Sequence, residues 1–444
     1  MRQYPSIIAL ICCVWSFRGV AACPDLSDFY PVDSKPADIL VSWERTRTQL
    51  SGIFDQCLLS SEYFALYGAA QLNTDRLSDA MESLERSLLL NPDNGAALTD
   101  YAEALLLDGQ LFAAIEANTA LLNREDLPKA LISEIGFRQR NWSALTSQTS
   151  WQLDLLGGFD DNLNGAPDDD LVNLTLAGEP ILLTLNKEFR AVGGPFLNAQ
   201  LQLRHRLLTP ATQHSFLGQI RGRVSENRSS DVVQVAGRYN RLSAAGFSGR
   251  QWGGGFSHLL LSGRPLFTGT DARYRHHFSD SARCRPYLGG ALQHQIWHEQ
   301  RRLDGIETKG SLGTSCPLGV GAQRLNMEAS MLHNKALELN RLGGDRTGWQ
   351  IMAEWQMALP RGLFSAQLNH TQLSDRLGFS PLLENNARRN IQRSSLLLQY
   401  RDSVNWLGAG TQLVVNIYHQ DQRSNLGLFE TEDTALELGL SWRF

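Results

Sequence analysis

The hydrophobic pattern of this 444-residue chain has two regimes, and they meet near residue 150. Upstream, apolar positions recur three and four residues apart, the spacing of helices that bury one face. Downstream, they recur every second residue, the spacing of strands with two unlike faces. The last segment is the clearest: Leu436, Leu438, Leu440, Trp442 and Phe444 fall on one face, with Glu437, Gly439, Ser441 and Arg443 on the other. In the same way Leu197, Ala199, Leu201 and Leu203 alternate with Gln200, Gln202, Arg204 and Arg206, while Phe216, Gly218, Ile220 and Val224 alternate with Gln219, Arg221 and Arg223. Trp349, Ile351, Ala353, Trp355 and Met357 alternate with Gln350, Glu354 and Gln356. The pattern predicts an α + β chain, with an N-terminal α-helical domain over residues 23–145 and antiparallel strands over residues 146–444.

Within the helical part, residues 61–94 fit a 34-residue tetratricopeptide-type repeat. Its packing positions are Phe64, Tyr67, Gly68, Ala80, Leu84 and Pro92. Small residues at 68 and 80 let two helices approach, bulky ones fill the gap, and Pro92 cannot continue a helical hydrogen-bond ladder. The next 34 residues repeat the pattern more loosely, at Leu98, Tyr101, Ala102, Ala114 and Leu121. Two repeats are too few to be stable alone, so the amphipathic stretches 37–58 and 128–138 are expected to cap the stack. A client-binding groove would draw on Glu62, Ala69, Asn73, Thr99 and Glu103.

In the strand region, the arginines keep to the phase opposite the apolar residues. A soluble sheet with one wet face would alternate in this way too. The number of strands, their length of about 10 residues and their long polar connections point instead to a transmembrane β-barrel. Lipid cannot hydrate a charge, and an arginine on the outer face costs about 2–4 kcal/mol at the bilayer midplane. Arg204, Arg206, Arg221 and Arg223 are therefore placed in the lumen. About 15 candidate strands can be picked out, whereas a bacterial barrel has an even number. Spacing favours 14 over 16, and the Gly-rich run 251–278 holds one strand or two. Gly439, Trp442 and the terminal Phe444 have the form of a C-terminal signal read by the barrel-assembly machinery.

The N-terminus carries a second kind of signal. Arg2 precedes an apolar run from Ile7 to Trp15, and Val20-Ala21-Ala22 follows, as in a secretory signal peptide over residues 1–22. That run is far short of the roughly 20 residues of a membrane-spanning helix. Cys12 and Cys13 would leave with the leader, so Cys23, Cys57, Cys284 and Cys316 would remain. Pairing Cys23 with Cys57 and Cys284 with Cys316 uses all four in a compartment that permits disulfides. Val20-Ala21-Ala22-Cys23 also fits a lipobox, and lipidation of Cys23 would leave Cys57 alone. Cys284 and Cys316 flank a candidate hairpin. A turn centred near Gln300 sets them opposite one another, within the roughly 7 Å that a disulfide needs, and a turn centred on Asp304-Gly305 does not.

Composition adds exclusions. A net charge of −5 argues against phosphate-driven nucleic-acid binding. Asp160-Asp161-Asn162-Leu163-Asn164-Gly165 opens like a calcium loop but has Leu171 where the twelfth position requires a bidentate Glu, so it reads as a polar turn leaving a strand. No nucleophile elbow, zinc-protease helix or phosphate loop is present in the sequence. Neither a catalytic residue, a metal nor a cofactor is expected.

Three segments carry a resemblance: WQLDLLGGFDDNLNGAP at 151–167, RQWGGGFSHLLLSGRPLF at 250–267 and FSPLLENNARR at 379–389. They resemble a barrel-entry strand with its Asn-rich loop, a mid-barrel stretch and a loop of the surface lipoprotein assembly modifier family. These are outer-membrane proteins with a periplasmic tetratricopeptide domain and a C-terminal barrel. The resemblance implies a monomeric, non-enzymatic translocator. It would deliver a lipoprotein, or a soluble haem- or metal-scavenging protein, across the outer membrane to the cell surface. Its partners would be that client, the assembly machinery and outer-membrane lipid. A helical domain with only two recognisable repeats is short for the family. A tetratricopeptide-barrel porin exporting a polysaccharide is the alternative, and a passive nutrient porin would not need the helices at all.

Overall fold

The computed structural model describes residues 22–31, 36–176, 178–245, 248–278, 284–319 and 322–444. The expected leader, but for Ala22, lies outside them. The chain divides into two compact units between Leu145 and Thr146.

The first unit contains α1 (Pro36–Ser51), α2 (Ser61–Leu72), α3 (Leu77–Leu90), α4 (Gly95–Leu107), α5 (Leu111–Leu122) and α6 (Lys129–Thr146). Helix starts follow local chemistry. Ser60 accepts the Tyr63 amide at the head of α2, and Asn94 accepts the Ala97 amide at the head of α4, each satisfying a donor that the helix leaves open. The α2–α3 hairpin is antiparallel. Ser61 and Ser87 exchange hydrogen bonds at one end, and Ser83 donates to Gln71 nearer the other. Gly68 sets the approach: a methyl there would lie 2.6 Å from Leu84 Cγ and 3.3 Å from the Ala80 carbonyl oxygen. Phe64, Ala80 and Leu84 are buried, Tyr67 stacks on Tyr63 at 5.6 Å, and Pro92 lies just past the end of α3. Cys23 is bonded to Cys57, with Cα atoms 4.7 Å apart, beside the core of Leu50, Tyr63, Phe64 and Leu66. The last helix runs on past the expected cap at 128–138, because Trp142, two turns beyond Ile135, is buried against Ala102, Leu105 and Ala114.

The second unit contains sixteen strands: β1 (Ser147–Asp160), β2 (Leu171–Leu176), β3 (Glu179–Thr184), β4 (Gly194–Leu208), β5 (Thr212–Ser225), β6 (Val232–Ala245), β7 (Ser248–Leu261), β8 (Arg264–His277), β9 (Arg285–Trp297), β10 (Gly305–Leu318), β11 (Gln323–Ala336), β12 (Arg346–Ala358), β13 (Gly362–Asp375), β14 (Asn390–Ser403), β15 (Thr411–Ser424) and β16 (Thr431–Arg443). Fourteen of them close into an antiparallel barrel in chain order, with β1 paired to both β4 and β16. The remaining two, β2 and β3, form a hairpin inside the connection from β1 to β4. The Gly-rich run 251–278 holds two strands. They meet at Ser262-Gly263, both with positive φ (50° and 76°), as the tightest antiparallel turns require.

Connections alternate between the end where β1 starts and β16 finishes, here the near end, and the opposite far end. The longest, 161–193 and 376–389, are at the far end. There Val172 of β2 packs with Leu383 and Leu426. Glu384, Asn385 and Asn386 all take positive φ in the same loop, and the Asn173 side chain donates to Glu384.

Cys284 and Cys316 form the second disulfide, with Cα atoms 4.2 Å apart. Gly305 pairs with Gln295 and Ser315 with Arg285, so the hairpin is centred on residue 300 and the cysteines stand opposite one another.

Candidate functional site in the barrel lumen

Alternation along the strands sorts side chains into two environments. The outer phase carries Leu197, Leu201, Ile220, Leu288, Leu292, Leu312, Ile351 and Leu436, each more than a third exposed. Near the near end this face turns aromatic. Phe216, Tyr239 and Trp252 follow one another across β5, β6 and β7 at centroid distances of 4.9 and 5.7 Å, with Trp151, Tyr274 and Phe444 also exposed around the rim. Arg241, on the same phase, lays its guanidinium 5.6 Å from the Trp252 ring, which suits the membrane–water boundary, where aromatics and long cations both sit. Sequence reading missed this girdle, although its signal, aromatics clustered at strand ends on the apolar phase, was there to be counted. An apolar band edged by aromatics around a closed, polar-lined barrel is the construction of an outer-membrane protein.

The inner phase is polar and cross-linked. A cavity of about 490 Å³ is bounded by Asp154, Asp160, Asn198, Arg221, Arg223, Arg401 and Glu437, among others. Register brings these groups together across neighbouring strands. Arg221 donates to Asn198, Asn198 and Asn416 both donate to Glu437, Gln399 donates to Asn416, and Arg401 donates to Gln399. One belt of hydrogen bonds thus runs from β5 round to β14 and shares a single carboxylate. A second carboxylate, the buried Glu328 on β11, takes Lys309 at 2.8 Å, Arg275 at 3.0 Å and the Tyr287 hydroxyl at 2.6 Å. Neither Glu437 nor Glu328 stood out in the sequence. An acid on the inner phase of a barrel strand, in register with cations on nearby strands, is the pattern that marks both.

The four arginines expected in the lumen all face it, in two different situations. Arg223 is paired with the buried Asp160 at 2.8 Å and also donates to the Leu163 carbonyl, and Arg221 belongs to the belt. Arg206 meets only the neutral Gln148, at 2.6 Å, and Arg204 has no hydrogen-bond partner among the described residues.

The loop that opens like a calcium site is a turn built from its own side chains. Oxygens of Asp160, Asp161 and Asp433 lie within 4.8 Å of one another. However, Asp160 accepts the Asn162 amide and Arg223, and Asp161 accepts the Thr434 amide. Asn162 accepts the Ala166 amide and Asn164 the Val192 amide. Asp160, Asp161, Asn162 and Asn164 thus close the loop, while Asp433 Oδ1 is buried without a hydrogen-bond partner among the described residues.

The predicted C-terminal signal lies on the closing seam. Trp442 pairs with Leu153 of β1, and Phe444 exchanges both backbone hydrogen bonds with Trp151. Gly439 is required there, since a Cβ would fall 2.0 Å from the Leu155 carbonyl oxygen.

In the helical unit the expected groove is only partly present. Ala69 is buried in helix packing, so it cannot present itself to a ligand, while Asn73 is exposed and uses its amide N–H on the Ala69 carbonyl at the end of α2. Glu62 and Glu103 are exposed, and Thr99 is partly so, with its hydroxyl bonded to Gly95. Next to Glu103, burial pushes the Asp100 carboxyl up to about 6. Glu103 adds to the rise, and Arg138 opposes it. Arg138 itself donates to Asn118 and to the Thr99 carbonyl and lies 4.8 Å from the Trp142 ring; burial lowers its pKa.

No family model matches the chain, and no curated protein matches it. Among solved structures, a bacterial polysaccharide outer membrane secretin aligns at 10% identity, covering 66% of this chain and 98% of that one, with a TM-score of 0.35. An anion-selective porin from Comamonas acidovorans aligns at 13% identity over 67% of this chain and 99% of its own, with a TM-score of 0.34. The Yersinia enterocolitica type III secretion translocator chaperone SycD aligns at 16% identity over 24% of this chain and 74% of its own, with a TM-score of 0.22. These likenesses are faint, and the architecture rests on the strand pairing itself.

Proposed function

We propose that this chain is an outer-membrane translocator that delivers a lipoprotein, or a soluble haem- or metal-scavenging protein, to the cell surface, with its helical unit in the periplasm. The observation that carries the reading is the joining, in one chain, of helical hairpins with repeat-like packing to a closed barrel with a polar, charged lumen. The barrel wall satisfies every strand's backbone groups, as a membrane demands, and leaves a polar interior. The helices contribute exposed faces on which a client segment can be held. The segments at 151–167, 250–267 and 379–389 that resemble the surface lipoprotein assembly modifier family support the choice of a protein cargo.

The test is surface display of a candidate client in cells with and without this gene. Display should be lost in the deletion and restored by the intact chain. It should not be restored by a chain lacking residues 24–145 that still inserts a heat-modifiable barrel. Unchanged display in the deletion sinks the proposal. Full function without the helices points to a passive porin, and ion conductance blocked by a charged glycan but not by a protein client points to polysaccharide export.

A further inference from the structure

The near half of the lumen gathers three arginines around one space. Arg204 and Arg206 on β4 and Arg238 on β6 line one cavity of about 900 Å³. Register explains the grouping: Arg204 pairs with Leu217 of β5, and Leu217 pairs in turn with Arg238, so two guanidinium groups flank a short apolar residue on one wall. The rest of the lining is hydroxyl, amide and apolar, with no carboxylate. None of the three arginines forms an ion pair among the described residues, though Arg238 also borders a neighbouring cavity that contains Asp271 and Glu328. Other parts of the inner wall supply acids: Arg223, Arg273 and Arg275 each have one in an ion pair, and Arg221 and Arg401, bonded only to amides, share their cavity with Asp154, Asp160 and Glu437.

Like charges facing one shared space raise one another's energy, and low-dielectric walls focus the field into that space. A guanidinium fork matches the two oxygens of a carboxylate or phosphate, and Gln148, Gln213, Ser215 and Asn240 add neutral hydrogen-bonding groups around the same cavity. We propose that this near-end cavity is a binding site for clustered oxyanions, the carboxylate or phosphate groups of a multiply charged ligand. The site is a property of the wall, whichever cargo the barrel carries.

The experiment uses the full chain in detergent micelles at low ionic strength, and needs no transport. Inorganic tripolyphosphate and a hexaglutamate peptide are titrated separately by calorimetry. At least one should bind saturably, with an affinity that falls as salt is added. The triple variant R204Q/R206Q/R238Q should bind roughly ten- to hundred-fold more weakly, the scale of lost charge-assisted contacts. R204K/R206K/R238K should retain much of the affinity, and R301Q/R302Q, changed on a far-end connection, should match the unaltered protein. Tripolyphosphate binding alone assigns the site to free anions, and tighter hexaglutamate binding assigns it to an acidic polypeptide segment. If neither probe binds, or if the triple glutamine variant binds as tightly as the unaltered chain, the proposal is overturned. Should the triple variant lose its barrel by gel mobility, Arg204→Gln alone serves, since that side chain has no hydrogen bond to lose; undiminished binding by it is then the overturning result.

Discussion

In the helical unit the bulkiest fully buried side chains are Leu50, Tyr63, Phe64, Leu84 and Leu121, and no charged residue is fully buried among its described residues. In the barrel the order is reversed: Asp160, Glu328 and Asn416 are among the most buried groups, while Leu312, Met331 and Leu436 are more than half exposed. The same apolar residue types are used in both, and only the medium outside differs. Water drives leucine inward in the first unit. In the second, an outward-facing leucine is at home only where hydrocarbon surrounds the barrel. Residue burial alone would thus mislead, whereas burial read together with strand phase identifies the solvent.

Substitutions can break this contrast, and the largest effect is expected in the helical core. Phe64→Ala removes a buried ring and should cost about 3–5 kcal/mol of helical-unit stability, read as an earlier loss of the helical circular-dichroism signal while the barrel's heat-modifiable gel mobility is unchanged. Ile220→Arg puts a charge on the outer phase and should cost about 2–4 kcal/mol in urea titrations from lipid vesicles. Gln219→Arg, one residue along and facing the lumen, should cost far less, and equal costs would refute the assignment of faces. Gly68→Ala should cost about 1–3 kcal/mol in the helical transition, because the new methyl meets Leu84.

The smallest effect is pH-dependent. The Asp100 carboxyl is raised from 3.8 to about 6 in the folded unit. The folded state therefore favours its protonated form, and helical-unit stability falls as pH climbs between those two values, then levels off. Asp100→Asn should remove that decline, by up to about 3 kcal/mol above pH 6, and should match the unaltered chain at low pH. A melting temperature for the variant that still tracks pH across this window would show that another group is responsible.

Much of the architecture was legible because its signals are local. Period-two alternation in 436–444 and 197–206 identified strands and their faces, since lipid forbids the opposite phase. The packing of Gly68, Ala80 and Leu84 was readable because small residues at fixed spacing have few other uses in a helix. The turn centred on residue 300 decided the Cys284–Cys316 pairing, but the sequence offered two centres and only the register chose between them. The lumen was less legible. That Arg223 would find Asp160 while Arg204 would find no acid depends on which strands become neighbours and how far each slides along the next. Ala69 was misplaced for a similar reason: a helix position that looks open in isolation was taken up by its neighbour.

The hydrogen bonds between Trp151 and Phe444 join the first and the sixteenth strand. Until that last strand arrives, β1 has an unpaired edge, and the apolar surface of the other thirteen barrel strands has no closed cylinder to sit on. Such an intermediate invites edge-to-edge aggregation. The strand that completes the ring also bears Trp442 and Phe444, so the residues that finish the wall belong to its aromatic rim as well.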